Sequence, residues 1–418
     1  MCVMNYEALK NHSVLLLGKT RALSVDEFDT LLKLHKITRI RHYNEDVALI
    51  IEGRMMNPYE QSELERLYEE LSTPITELAP FEEWLCRSIE PNRLLMSLKL
   101  SRNQGRLINF LQNRYITDEL FFKLLKLYDW QNEGLFDNDA NRDVTASIIG
   151  RFYTDLDRNH NVQYAMSGLA HLVERYGNRE LINAIAELSP IANEIKNPKE
   201  RSLSGVLDAI ALHPDTDEAI LRLLLKERAV LLAHRKPLTL ESELLGLNRE
   251  DVNEILAQNY TLSPYGVAQL ESDYPRLIAS KTLLNWDRFE RLIEQYAAEL
   301  GSNPSLTPSM QEKLFDLGEE TVLEALAANP ATLHEMLDRL FESGRFSLPL
   351  ACNPSLSPDK LESLWASANV GILSALAANT STPIEILYQL SLDRRFERAV
   401  KTNPTFGKYI QTHNIGWL

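Results

Sequence analysis

Few residues in this chain stand at spacings that perform chemistry. Gly18-Lys19-Thr20 ends like a phosphate-binding loop, yet the position five before Gly18 is Ser13 and Val14-Leu15-Leu16-Leu17 between them reads as a strand. A phosphate loop needs exposed backbone amides at that point, so nucleotide binding is not expected there. Two acidic stretches, DNDANRD from Asp137 to Asp143 and DLDRNHN from Asp155 to Asn161, alternate oxygen ligands as a calcium loop does. Their sixth positions are Arg142 and His160 where glycine is wanted. Their twelfth are Ile148 and Met166 where a bidentate glutamate closes the shell. Asp and Asn caps between helices explain both more simply. His334-Glu335 is the single pair of its kind in the chain, short of the several ligands an iron site on helical repeats requires. The three cysteines, Cys2, Cys86 and Cys352, are too scattered for a metal site or a disulfide framework and suit a reducing compartment. With no GxSxG, HExxH, paired CxxC or dinucleotide glycine pattern, no catalytic, cofactor-binding or metal residue is assigned.

What the chain does possess is repetition. LEALAANPATLHEML, Leu323 to Leu337, returns about fifty residues later as LSALAANTSTPIEIL, Leu373 to Leu387. Aligning on A-x-N-P places the Asn position at His213, Lys236, Asn259, Lys281, Asn303, Asn329, Asn353, Asn379 and Asn403, with steps of 23, 23, 22, 22, 26, 24, 26 and 24. A regular period of this length marks stacked units that bury their apolar stripes on one another. Each unit reads as a helical hairpin. An apolar helix ends at Asn, because proline after it disfavours helical geometry; Thr307 or Ser357 then caps a second helix with Pro308 or Pro358 in its first turn. The small residues Ala325, Ala327, Ala328 and Ala375, Ala377, Ala378 permit close approach between units. The repeated asparagine is read as a turn former bonding its own backbone.

The motif AANPxxxxxxLxxL at this period resembles the leucine-rich repeat variant family, a relative of HEAT-type helical solenoids, over roughly residues 200 to 405. The resemblance implies a right-handed α-solenoid of alternating α and 3₁₀ helices. Some members carry a cysteine-bound iron–sulfur cluster ahead of the repeats; no cysteine cluster exists here, so no cofactor is carried over.

Residues 1–75 read as a small α/β module: SVLLLG a strand, SVDEFDTLLKLH a helix capped by Ser24, ITRIRHY and VALIIEG strands, QSELERLYEEL a helix. A rival parse makes ALIIEGRMMNPYEQSELERL an early repeat unit. The strand and helix order is similar to a BRCT module, a family that usually places Ser or Thr before the glycine of its first strand to hold phosphate; Leu17 stands there instead. Residues 76–200 read as helical, and LINFLQNRYITDELFFKLLKL echoes EILAQNYTLSPYGVAQL, so degenerate repeats begin near Leu107. Residues 201–418 form the repeat array, closed by a C-terminal cap of Phe406, Tyr409, Ile410 and Trp417.

At 418 residues, 44% hydrophobic and 25% charged, the chain is long enough for several cores or an additive array. The net charge is −15; residues 1–75 hold 9 basic against 12 acidic side chains, which leaves 35 against 47 in the remainder. No basic stripe offsets this balance, and nucleic-acid affinity depends on phosphate neutralisation. The N-terminus lacks a signal-like apolar core and no segment reaches membrane-span length, so a cytoplasmic protein with no membrane partner is expected. The expected function is a non-enzymatic protein-binding scaffold. The alternative is a helical-repeat DNA-binding or base-excision protein, which a contiguous Lys/Arg lining would distinguish.

Overall fold

The computed structural model describes residues 5–70, 73–154, 160–199, 201–367 and 369–412. Among these, 26 α-helices and three 3₁₀ turns accompany a single four-stranded parallel sheet. The chain divides into two compact units, residues 1–223 and 224–418.

The sheet belongs to the first unit. Strands β1 (Ser13–Leu17), β2 (Thr38–Ile40), β3 (Val47–Glu52) and β4 (Ile75–Glu77) lie in the order β2-β1-β3-β4, all parallel. The central strands β1 and β3 are apolar runs because helices cover both faces. Helix α2 (Pro58–Glu70) sets Leu64 and Leu67 on Leu15, Leu17 and Ile50. On the opposite face α1 (Val25–Leu34) meets α3 (Leu78–Cys86) through Phe28 and Phe81, with ring centroids 5.9 Å apart. Ser24 caps α1, accepting from the Glu27 amide at 3.3 Å. Strands and helices thus lie where the α/β reading of this segment puts them, at Ser13–Leu17, Val25–Leu34, Thr38–Ile40, Val47–Glu52 and Pro58–Glu70, and a further strand and helix, β4 and α3, follow.

A bidentate pair fastens α1 to β2: the Arg39 Nε and Nη2 atoms donate to the two Asp29 oxygens at 2.6 and 2.8 Å. Those hydrogen bonds hold the Asp29 carboxyl below its ordinary range, against an opposing effect of partial burial. A depressed carboxylate pKa adds stability that is present above the unfolded-state value and lost as pH falls through the folded one. Asp29→Asn is thus expected to cost about 1 kcal/mol at pH 7, a discounted value for a half-exposed pair, and nothing once the pH is below both values. Denaturant titrations of wild type and variant at pH 7 and in strong acid check this; an equal difference at both pH values contradicts it.

From Leu78 onward the described chain is helical. In the second unit the helices Trp286–Gly301, Glu320–Ala328, Ser347–Cys352, Val370–Ala378 and Glu397–Thr402 pack each on the next, and a second helix follows each of Asn303, Asn329, Asn353, Asn379 and Asn403, at Pro308–Leu317, His334–Glu342, Pro358–Trp365, Ile384–Ser391 and Pro404–Thr412. One apolar cluster runs through them from Ala279 to Phe406. Thr307 is an N-cap that accepts from the Met310 amide; Ser357 occupies the N-cap without a side-chain bond. In the last helix Phe406 is buried, Tyr409 half-buried and Ile410 exposed, so Phe406 carries most of the covering expected there, while Trp417 lies outside the described residues.

Candidate interaction surface

The asparagines of the repeat are all buried, from 0 to 5% exposed, so each of their polar atoms must find a partner. The Oδ1 atom forms the expected local turn, accepting from the amide two residues on: Thr261, Ser305, Ala331, Ser355, Ser381 and Thr405, at 2.8 to 3.0 Å. The Nδ2 atom reaches the previous unit. Asn353 donates to the carbonyls of Ala327 and Asn329 at 2.8 and 2.9 Å; Asn379 to Ala351 and Asn353 at 2.8 and 3.0 Å; Asn403 to Ala377 and Asn379 at 3.1 and 3.0 Å. Asn329 reaches Gly301 and Asn303 in the same way. The carbonyls of Asn303, Asn329, Asn353 and Asn379 thus each accept from the asparagine of the following unit, and these units are tied in a continuous ladder. A second rung runs beside it, in which the hydroxyls of Ser355, Ser381 and Thr405 donate to the carbonyls of Pro330, Pro354 and Thr380.

The ladder corrects the register at two weak copies. Asn259 donates to Ala233 and Arg235, and Asn303 to Ala279 and Thr282. The ladder positions are therefore Arg235 and Thr282, both buried, rather than the exposed Lys236 and Lys281. Chain alignment on a missing Asn slipped by one residue because only burial distinguishes the neighbours. His213, in the first unit, keeps the expected place: its Nδ1 accepts from the Asp215 amide at 3.1 Å. Asn113 makes the same turn with the Tyr115 amide at 2.9 Å, as the echo near Leu107 anticipates, and its Nδ2 donates to the Cys86 sulfur at 3.3 Å. Burial pushes the Cys86 thiol up to about 11, leaving it unreactive at neutral pH. Cys2 lies outside the described residues.

With the ladder fixing each turn, the following helix presents a repeated surface. Nine and twelve residues after Asn303, Asn329 and Asn353 stand an acid and an aromatic ring: Glu312 and Phe315, Asp338 and Phe341, Glu362 and Trp365. A three-residue step puts both on one helix face. The Arg339 guanidinium lies 4.2 Å from the Phe315 ring centre, and the Lys360 ammonium lies 5.6 Å from that of Phe341 while pairing with Asp338. Glu335, Asp359 and Glu385, six residues after successive ladder asparagines, add exposed carboxylates.

The other candidate motifs are structural. The Gly18 amide donates to the Glu60 carboxylate at 3.1 Å, and Lys19 bridges Arg54 by backbone hydrogen bonds. Gly18 has φ +89°, and a Cβ there would lie 2.7 Å from the Arg54 carbonyl. The turn therefore offers its first amide to an internal acid. Leu17 beside it is buried in the cluster under α2. Asp137 accepts from the Gly134 amide, and Asn138 caps the helix Asp139–Phe152 through the Asn141 amide at 2.8 Å. These are the caps expected in place of a calcium site. The stretch beginning at Asp155 falls largely outside the described residues. His334 and Glu335 are exposed at a helix start, and no group of three potential metal ligands occurs among the described residues.

A feature the sequence reading missed is Glu82. Its carboxylate is fully buried and accepts from the amides of Arg21, Ala22 and Leu23 at 3.0 to 3.2 Å, holding the loop between β1 and α1. The signal was present: Leu78, Phe81, Glu82 and Leu85 occupy one helix stripe, with the acid where an apolar residue belongs.

Comparison of the chain with protein-family models, with curated proteins and with solved structures returned no match.

Proposed function

We propose that the protein is an interaction scaffold whose second unit is a right-handed α-solenoid of leucine-rich repeat variant character, presenting the outward side chains of its repeated helices to a partner protein. The observation that carries this is the ladder. It places an acid and a ring at the same point of three successive units, which is how stacked repeats build an extended binding surface. A BRCT-like N-terminal module is supported by the strand order β2-β1-β3-β4, and a reducing, cytoplasmic setting by the buried Cys86 thiol bonded to Asn113.

The DNA-binding alternative is disfavoured by how the cations of the second unit are used. Lys313, Arg291, Arg345, Lys360, Arg395 and Lys401 are all paired with carboxylates. Electrophoretic shift assays with duplex and single-stranded DNA at micromolar protein and about 150 mM salt, where nonspecific contacts weaken, are expected to show no complex. A shift would favour the alternative. Affinity capture from native lysate followed by gel filtration should yield a stoichiometric protein complex that charge reversal at Glu335, Glu362 and Glu385 dissolves. The absence of a stoichiometric partner would oppose the scaffold reading.

A further inference from the structure

Of the three acid–ring pairs on the repeat surface, the chain itself covers the rings of two, and at one of these, Asp338 with Phe341, it also pairs the acid. Phe315 in one unit is covered by Arg339 of the next, ten residues past its ladder asparagine; Phe341 is covered by Lys360 of the following unit, seven past its own, with Asp338 as the counter-charge. For the third pair, Glu362 and Trp365, the corresponding positions of the next unit are Gln389 and the buried Ile386. Neither carries charge. Trp365 is 39% exposed, and among the described residues no cation lies over its ring and no side chain pairs with Glu362.

We propose that Glu362 and Trp365 form an open cup for a lysine or arginine side chain of a partner protein, the external equivalent of the Lys360 seat on Asp338 and Phe341. Indole is the strongest of the aromatic faces for a cation, and it stands at the one copy of the three that lacks an internal occupant. Charge complementarity selects the partner: Asp359 and Glu385 are further exposed acids of the same and the next unit, so a basic segment is favoured over an acidic or apolar one. The cation–π and carboxylate contacts act together, as they do for Lys360. This inference rests on the scaffold reading and specifies the chemistry of its partner.

The test uses a hexalysine peptide coupled to the full-length protein with carbodiimide at low ionic strength, each activated carboxylate forming an amide with a peptide lysine as the urea leaves, and the amidated carboxylates being mapped by mass spectrometry. Coupling concentrated at Glu362 is expected. Trp365→Ala should reduce it about fivefold, the factor set by an exposed cation–π contact. Gln389→Arg, which places a guanidinium where Arg339 stands one unit-pair earlier, should reduce it at least as much by filling the cup from within. Because Gln389 is exposed, that variant also controls for folding. Coupling spread evenly over Glu335, Asp359, Glu362 and Glu385, or coupling at Glu362 that survives either variant, overturns the proposal. A lysate partner captured equally by wild type and Gln389→Arg would likewise remove the cup while leaving the scaffold in place; failure to capture any partner would count against the scaffold and not against the peptide result.

Discussion

Asn353→Asp is expected to lower the melting temperature of the second unit by about 10 °C. The substitution is nearly isosteric, but it replaces the Nδ2 donor with an oxygen facing the carbonyls of Ala327 and Asn329 at 2.8 and 2.9 Å. Two buried acceptors then lose their donor and a buried carboxylate has no cation. Unsatisfied buried groups cost about 1–3 kcal/mol each, so a loss of about 3–5 kcal/mol follows, and about 2–4 °C per kcal/mol applies to a unit of this size. Protonation of the new carboxyl restores one donor, so the deficit should shrink in acid. Asn353→Ala, which leaves the same acceptors bare without adding charge, should fall between wild type and aspartate. Thermal denaturation followed by circular dichroism checks the series. A melting temperature unchanged by Asn353→Asp would mean that the inter-unit bonds contribute nothing.

Glu82→Ala is expected to destabilise the first unit by about 3–5 kcal/mol, since hydrogen bonds to a charged group contribute about 1.5–3 kcal/mol each and three amides lose their acceptor together. Trp84, two residues on and tilted against Phe81 and Tyr6, reports that unit by fluorescence once Trp286, Trp365 and Trp417 of the second unit are replaced by phenylalanine. Denaturant unfolding should shift to lower concentration by this probe, while amide exchange within residues 224–418 keeps its protection. Equal loss of protection in both units, or none in either, would contradict the assignment of Glu82 to the local frame of the β1–α1 loop.

Much of the fold was legible because it is periodic. The β-branched and apolar runs of β1 and β3, the Ser24 and Thr307 caps and the Asn-centred turns each carry a local signal that tertiary contacts reinforce. Two things were not. The repeat reads in sequence as one regular period, although the steps of 26, 24, 26 and 24 from Asn303 describe a 50-residue pair. The long units have nine-residue helices, Glu320–Ala328 and Val370–Ala378, and the short ones six-residue helices, Ser347–Cys352 and Glu397–Thr402. Thr332 and Thr382 mark the long units by donating to the carbonyls of Leu326 and Leu376, where the short units have Leu356 and Phe406. This is why the phrase around Ala327 returns most faithfully at Ala377 rather than at Ala351. The second omission was the donor half of each asparagine. Its turn-forming Oδ1 is a sequence-local property, but the partners of Nδ2 lie 21 to 28 residues earlier and become visible only when units are stacked. The acid–ring pairs at Glu312, Asp338 and Glu362 were open to inspection once the ladder set the register.

The most direct measurement is side-chain amide hydrogen exchange by NMR for Asn259, Asn303, Asn329, Asn353, Asn379 and Asn403, with the exposed N-cap Asn285 as reference. The ladder predicts that the six Nδ2 groups exchange far more slowly than that of Asn285. It also predicts that Asn353→Asp weakens the protection of Asn329 and Asn379 on either side. Six side chains exchanging at the rate of Asn285 would show that the asparagines make only their local turns and that nothing in them ties one unit to the next.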